Sequence, residues 1–270
     1  MQSDIIHESC TLRKKNHSND ETLQTIHTYR IESHSPTKLV IWLREKDSKE
    51  TPCVEDALTD QTWFTSLIIN QGVVLVIINL DPMFLFDSQS IQENRLECHD
   101  LMNAIRQNLV VMFRNRPQVQ THHAIIVAEN IGVMCVLRAQ EQSNLWCRYI
   151  IGLVLASGVY DLTCVKCFRP HLWKKWVKRD PDMLSLVHQV HLPVPRKIRF
   201  QNTIVIHGIQ NAYHPITHCW QWLVKNKFWN VHPKQRQFHL FFPTVHHVDV
   251  SDICQMIVPH LRKWLSSVNE

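Results

Sequence analysis

The strongest constraint on this chain is a rhythm: short apolar runs rich in β-branched residues recur along it, most of them followed by a longer stretch with helical spacing. A run of four to eight such residues is the length of a buried strand, and alternation with helices is the signature of βα units and a mostly parallel sheet. The runs predict strands at Thr37–Leu43, Val73–Leu80, His123–Glu129, Ile150–Ser157, Thr203–His207 and Phe238–Phe242. Between and after them the spacing predicts helices at about Val54–Ile69, Ile91–Arg114, Ile131–Gln142, Pro215–Lys225 and Val250–Ser267. In the last of these, Ile253, Met256, Ile257, Leu261, Trp264 and Leu265 fall on one face, as a helix lying on a sheet requires. Leu23 to Ile31 alternates well enough for an antiparallel edge strand, whereas residues 1–20 read as a frayed, disordered N-terminal segment. Residues 21–270 then form one α/β domain with helices on both faces of the sheet. Asp161–Phe200 breaks the rhythm and reads as a cap-like insertion, at about 161–200, over the carboxyl edge of the sheet, where such folds place their sites.

Three stretches sit where that architecture puts chemistry. The strand HAIIVA runs into Ala128-Glu129-Asn130-Ile131-Gly132 and then a helix, which is the context of the G-x-S-x-G nucleophile turn with asparagine in place of serine. An amide has no hydroxyl for a histidine to activate. A later strand ends in Ile206-His207-Gly208-Ile209-Gln210-Asn211, where an H-G-x-x-D-type turn supplies the acid of a triad; here the acid position is Asn211. Asparagine does not stabilise an imidazolium as a carboxylate does, a change that cost about 10⁴ in rate in a protease triad. The third position is kept: Thr244-Val245-His246-His247-Val248-Asp249-Val250 follows the last strand, with His247 best placed as the triad-type histidine and His246 as the alternative.

With these residues in view, the chain resembles an arylformamidase (kynurenine formamidase) of the α/β-hydrolase superfamily, over roughly Pro36 to the C-terminus. The resemblance is carried by Gly158-Val159-Tyr160-Asp161-Leu162, by His247-Val248-Asp249-Val250 and by the strand order. It implies an α/β-hydrolase-like three-layer sandwich. It also implies an H-G-G-x-W oxyanion loop after the first parallel strand, and that loop is altered: Val40-Ile41-Trp42-Leu43-Arg44-Glu45-Lys46 sets Arg44, Glu45 and Lys46 against the His and two glycines. Backbone donors of such a loop are worth roughly 3–4 kcal/mol each in the transition state. The sequence therefore reads as a catalytically impaired hydrolase homologue, a pseudoenzyme acting by binding a small aromatic ligand or a protein partner. The alternative is an active arylformamidase-type hydrolase that cleaves N-formyl-kynurenine-like amides, a step of tryptophan degradation, through a non-standard site.

Composition bears on these readings at a few points. Five glycines in 270 residues is far below the ~7% norm, and glycines build the tight loops of conventional active sites. Nine scattered cysteines and the absence of any apolar run of membrane-spanning length point to a soluble chain with reduced thiols, expected in the cytoplasm or nucleus. A net charge of +5 is modest, so no dedicated nucleic-acid binding is expected. No motif implies a cofactor. Cys164-x-x-Cys167-x-x-x-His171 has the spacing of three zinc ligands but no second pair, so no metal is expected; His207, His214 and His247 are a second grouping weighed as ligands and set aside. Phe168 to Arg179 mixes aromatics with cations, as nucleic-acid or membrane-surface contacts do, but reads more simply as a cap helix that buries Leu172, Trp173, Trp176 and Val177 and solvates its lysines. Asp87, Asp161, Asp249 and Cys135 are poor substitutes for the missing triad members.

Overall fold

The structure is a computed structural model that describes residues 5–15, 21–31, 37–45, 73–80, 119–142, 150–160, 162–179, 181, 184, 202–225, 237–245, 248 and 250–266. An eight-stranded sheet runs in the order β1-β2-β4-β3-β5-β6-β7-β8. Its strands are β1 (Ile5–Lys15), β2 (Glu21–Ile31), β3 (Thr37–Glu45), β4 (Val73–Leu80), β5 (Val119–Glu129), β6 (Ile150–Ala156), β7 (Asn202–Ile206) and β8 (Gln237–Phe241). The first two strands pair antiparallel with each other and β2 pairs antiparallel with β4; every pairing from β4 to β8 is parallel. Five helices are described: α1 (Ile131–Gln142), α2 (Leu162–Phe168), α3 (Pro170–Arg179), α4 (Ile216–Lys225) and α5 (Val250–Ser266).

The parallel strands are apolar on both faces, and residue parity divides them between two cores because side chains alternate along a strand. Leu39, Ile41 and Leu43 of β3 join Val74, Val76 and Ile78 of β4 in one cluster, which α1, Trp173 and Trp176 of α3, and Trp222 of α4 complete. Val40 and Trp42 join Val73, Leu75 and Ile77 in the other, covered by Ile253, Ile257, Leu261, Trp264 and Leu265 of α5. Helix, sheet and helix are thus the three layers read from the sequence.

The expected helices at Val54–Ile69 and Ile91–Arg114 lie outside the described residues. One expectation is corrected. Ile5–Lys15, read as frayed chain, forms β1, in register with β2 from Ile5↔Ile31 to Lys15↔Glu21. Its weak alternation carries little signal alone; the ladder to β2 satisfies its backbone groups, and only the partner strand makes that available. The insertion after β6 begins with α2 and α3. Arg169, between them, reaches Glu45 at the carboxyl end of β3. Within α3, Trp173 and Trp176 are buried while Lys174, Lys175 and Lys178 are exposed.

The contact between α5 and the sheet is close enough to exclude a side chain. A Cβ built on Gly152 of β6 would lie 2.3 Å from Cε3 and 2.5 Å from Cζ3 of the buried Trp264 ring. Overpacking of this kind typically costs about 1–3 kcal/mol. Gly152→Ala is expected to lower the urea midpoint by that order, and adding Trp264→Phe, which removes the clashing ring atoms, to recover part of the loss relative to the sum of the single changes.

Candidate functional site

Asn130 is the single residue between the end of β5 and the start of α1, and its backbone is in the left-handed region, φ 48°. That conformation is costly for residues with a Cβ and least so for asparagine among them. Three hydrogen bonds hold it. Its N–H donates to Ala156 O (3.1 Å), and its carbonyl accepts from Val133 N–H (3.2 Å) and Val159 N–H (3.0 Å). Gly132, the second elbow glycine, is required by packing: a Cβ there would lie 2.9 Å from Leu43 O and 3.1 Å from Leu43 Cβ. Ala128, in the first glycine position, is fully buried in β5 between Leu43 and Leu155, so its methyl group is part of the core. The strand-turn-helix elbow is therefore present, and the side chain it presents is an amide.

At the oxyanion-loop position, Arg44 and Glu45 close β3 and both are buried. Arg44 Nε lies 3.7 Å from Glu129 Oε1, and Trp42 Nε1–H donates to the same oxygen. Glu45 Oε2 accepts from Arg169 Nη1 at 2.7 Å. Lys46 lies outside the described residues. Where an oxyanion loop would offer bare backbone N–H groups, this chain has two buried carboxylates paired with arginines from two different elements. Glu129 is the residue immediately before Asn130, so the first of these pairs is attached directly to the elbow.

Asn211, expected from the sequence at an acid position, uses its side chain to hold its own loop. Asn211 Oδ1 accepts the N–H groups of Tyr213 and His214, both at 3.0 Å, and so folds the loop back on itself. The loop is tied to the end of β8 by His207 N–H to Phe241 O (3.0 Å) and to the chain after it by Ile209 N–H to Pro243 O (2.9 Å) and Gln210 N–H to Val245 O (3.2 Å). Gly208 permits that approach, since a Cβ would lie 2.7 Å from Val245 O. His246 and His247 lie outside the described residues, as do Asp87, Asp161 and Asp249. Asn130 and Asn211 thus stand at the carboxyl ends of β5 and β7, and Val245, two residues before His247, is held against the Asn211 loop.

Beside this edge, the Gly158-Val159-Tyr160 segment wraps the elbow. Gly158 fits against Val133, where a Cβ would meet Cγ1 at 2.7 Å, and Val159 supplies one of the bonds to Asn130 O. Tyr160 stacks on Trp222 (centroids 4.8 Å) and faces His207 (6.3 Å). Burial, with Cys219 beside it, holds the Tyr160 phenol well above its usual range, and burial pushes the Cys219 thiol up to about 12, so both stay protonated near neutrality. His207 is fully buried; its Nε2–H donates to His214 O (2.6 Å), which makes Nδ1 the acceptor of the neutral ring. Burial lowers its pKa below that of an ordinary imidazole.

Cys135 is buried in α1, one turn past the elbow. Cys167 and His171 are exposed, and the side chain of Cys164 lies outside the description. Among the described residues no three His, Cys, Asp or Glu gather as a metal site, and no described helix is long and apolar enough to cross a membrane. The pairing roles of Glu129 and Arg169 were not legible in the sequence, where a carboxylate in the middle of an elbow motif was the available signal. Ser157, in the Ala156-Ser157-Gly158 fragment that comes nearest to a second G-x-S-x-G turn, has φ 47° and follows β6.

The chain has the α/β-hydrolase fold. It superposes on the acylaminoacyl peptidase of Pyrococcus horikoshii with TM-score 0.57 at 10% identity over 100% of this chain, and on a lipase/esterase of Lactobacillus plantarum with TM-score 0.56 at 13% identity over 96% of it. Esterase Est22 matches 98% of the chain with TM-score 0.55 at 10% identity. This chain spans 98% of the Lactobacillus protein and 80% of Est22, but 42% of the peptidase and 35% of a Bacteroides ovatus chain assigned as a dipeptidyl aminopeptidase IV. No sequence family and no curated protein matches it.

The Arg44–Glu129 pair yields a stability test. Removing one partner of a buried ion pair strands the other and typically costs about 3–5 kcal/mol, whereas neutralising both is often close to neutral. Arg44→Met should destabilise by roughly that amount in chemical denaturation, and Arg44→Met with Glu129→Gln should recover most of it, because glutamine keeps an acceptor for Trp42 Nε1–H.

Proposed function

We propose that this chain is a catalytically impaired α/β-hydrolase homologue that works by binding a small aromatic ligand or a protein partner, in the cytoplasm or nucleus. The observation that carries this reading is Asn130 at φ 48°: the position that would present a nucleophile is folded for the purpose and carries no hydroxyl. Two further features support it. The Asn211 amide oxygen accepts two backbone N–H groups of its own loop, and the residues expected at the oxyanion loop, Arg44 and Glu45, are buried and engaged in ion pairs. Nucleophile, acid and oxyanion donors act as a unit in hydrolases of this kind, so loss of all three removes the route rather than slowing it.

The test is reconstruction. Asn130→Ser with Asn211→Asp restores nucleophile and acid beside the histidine-bearing loop and leaves Arg44 and Glu45 in place. The expected gain in hydrolysis of an N-formyl aryl amide or aryl ester is less than about a hundredfold over background, against the roughly 10⁶ an intact triad contributes. The unmodified protein is expected to show no burst with activated esters and no fluorophosphonate adduct by intact mass. Robust turnover by the double variant, or a stoichiometric adduct at any serine of the natural chain, would overturn the proposal in favour of an arylformamidase-type hydrolase.

A further inference from the structure

Among the described residues, the helices that cover the elbow face of the sheet expose lysines and no carboxylate. Between Gln142 and Val248 the chain carries fourteen Lys and Arg but only Asp161, Asp180 and Asp182 as acids, while the remainder of the chain is net acidic. No Asp or Glu occurs within α2, α3 or α4. Helix α3 turns Trp173 and Trp176 inward and leaves His171, Lys174, Lys175 and Lys178 exposed. Helix α4 buries Cys219, Trp222 and Leu223 in the same core and leaves Trp220 (48% exposed), Val224 (46%) and Lys225 on its outer side. Phe168, 39% exposed, meets His218 edge-on at 6.2 Å and joins the end of α2 to α4. Since α3 and α4 pack on one sheet face, their outer sides both point away from it.

We propose that this outer side of α3 and α4 is a docking surface for an anionic lipid bilayer. Charge complementarity selects an anionic occupant, and the kind of side chain selects among anionic occupants. The exposed cations named are all lysines, compact point charges suited to a diffuse anionic surface; base and phosphate readout favours the forked guanidinium of arginine. A half-exposed tryptophan with an aliphatic neighbour one turn on is the pair that settles at the headgroup boundary. Single-stranded nucleic acid wants aromatic faces interleaved with the cations, and here the aromatic rings between the lysines, Trp173 and Trp176, are buried. A lysine near an anionic leaflet favours binding by about fivefold, so three together are worth on the order of a hundredfold. The surface is separate from the residues at position 130 and its partners, so the proposal stands or falls independently of the impaired site.

The experiment is co-sedimentation of the full chain with vesicles of phosphatidylcholine, alone and mixed with phosphatidylserine, at about physiological ionic strength, where the Debye length is ~8 Å. Partitioning is expected to be at least tenfold stronger on the phosphatidylserine mixture. The triple change Lys174→Glu, Lys175→Glu, Lys178→Glu should reduce it by at least thirtyfold with an unchanged thermal midpoint, since all three residues are solvated. Trp220→Ala should weaken it severalfold and remove part of the tryptophan quenching by brominated acyl chains. Equal retention on pure phosphatidylcholine, full retention of the triple variant, or release from vesicles by an equal charge concentration of single-stranded oligonucleotide would each overturn the proposal, the last in favour of a nucleic-acid surface.

Discussion

The turn at Asn130 organises the carboxyl edge of this molecule. A left-handed residue between a buried strand and a buried helix carries strain of order 1–3 kcal/mol, and it persists only where its surroundings over-determine it. Here the surroundings do so through backbone atoms. The Asn130 N–H is bonded to the end of β6, and its carbonyl is shared between the first turn of α1 and the segment that follows β6. Gly132 lets α1 sit against Leu43, and Gly158 lets the β6 segment sit against α1. None of these contacts depends on the side chain at position 130. The elbow is a property of the fold and is held by backbone contacts.

What stands around the elbow follows from that separation. Beside the elbow stand Trp42, Arg44, Glu45, Glu129 and Arg169, in one buried and one part-buried ion pair and a tryptophan hydrogen bond. Buried pairs of this kind add little net stability, but they are intolerant of a missing partner, so they fix the geometry of the elements they join. Glu129 joins the elbow to β3, and Glu45 joins β3 to the α2–α3 insertion. Asn211 plays a comparable part at the other edge, where its amide closes the turn that carries the chain from β7 to α4.

Much of the fold was legible in the sequence because the parallel strands are buried on both faces and read as unbroken apolar runs: Val73–Leu80 and Ile131–Gln142 coincide with β4 and α1. The edge was harder to read. β1 depends on a partner strand for its hydrogen bonds, and a local pattern does not carry that information. At the site, Asn130 and Asn211 were legible because each falls at a fixed offset from the end of a buried strand. Arg44 and Glu45 were legible as a departure from a glycine loop, but their role was not, since Glu129 lies 85 positions from Arg44 in sequence and Arg169 belongs to the insertion. Pairings between separate elements are decided by the packing of those elements, which one-dimensional spacing does not record.

The strained elbow is held independently of its side chain, and the stability of variants at position 130 tests this most directly. At φ 48° glycine is the least strained residue and asparagine the next, while alanine and, more so, valine carry the full steric cost. Equilibrium unfolding of Asn130→Gly, Asn130→Ala and Asn130→Val is expected to give glycine within about 1 kcal/mol of the natural protein and alanine about 1–2 kcal/mol below it, with valine lower still. A series in which alanine equals or exceeds asparagine and glycine is the clear loser would mean that residue 130 has ordinary right-handed or extended geometry and that the chain has no left-handed elbow.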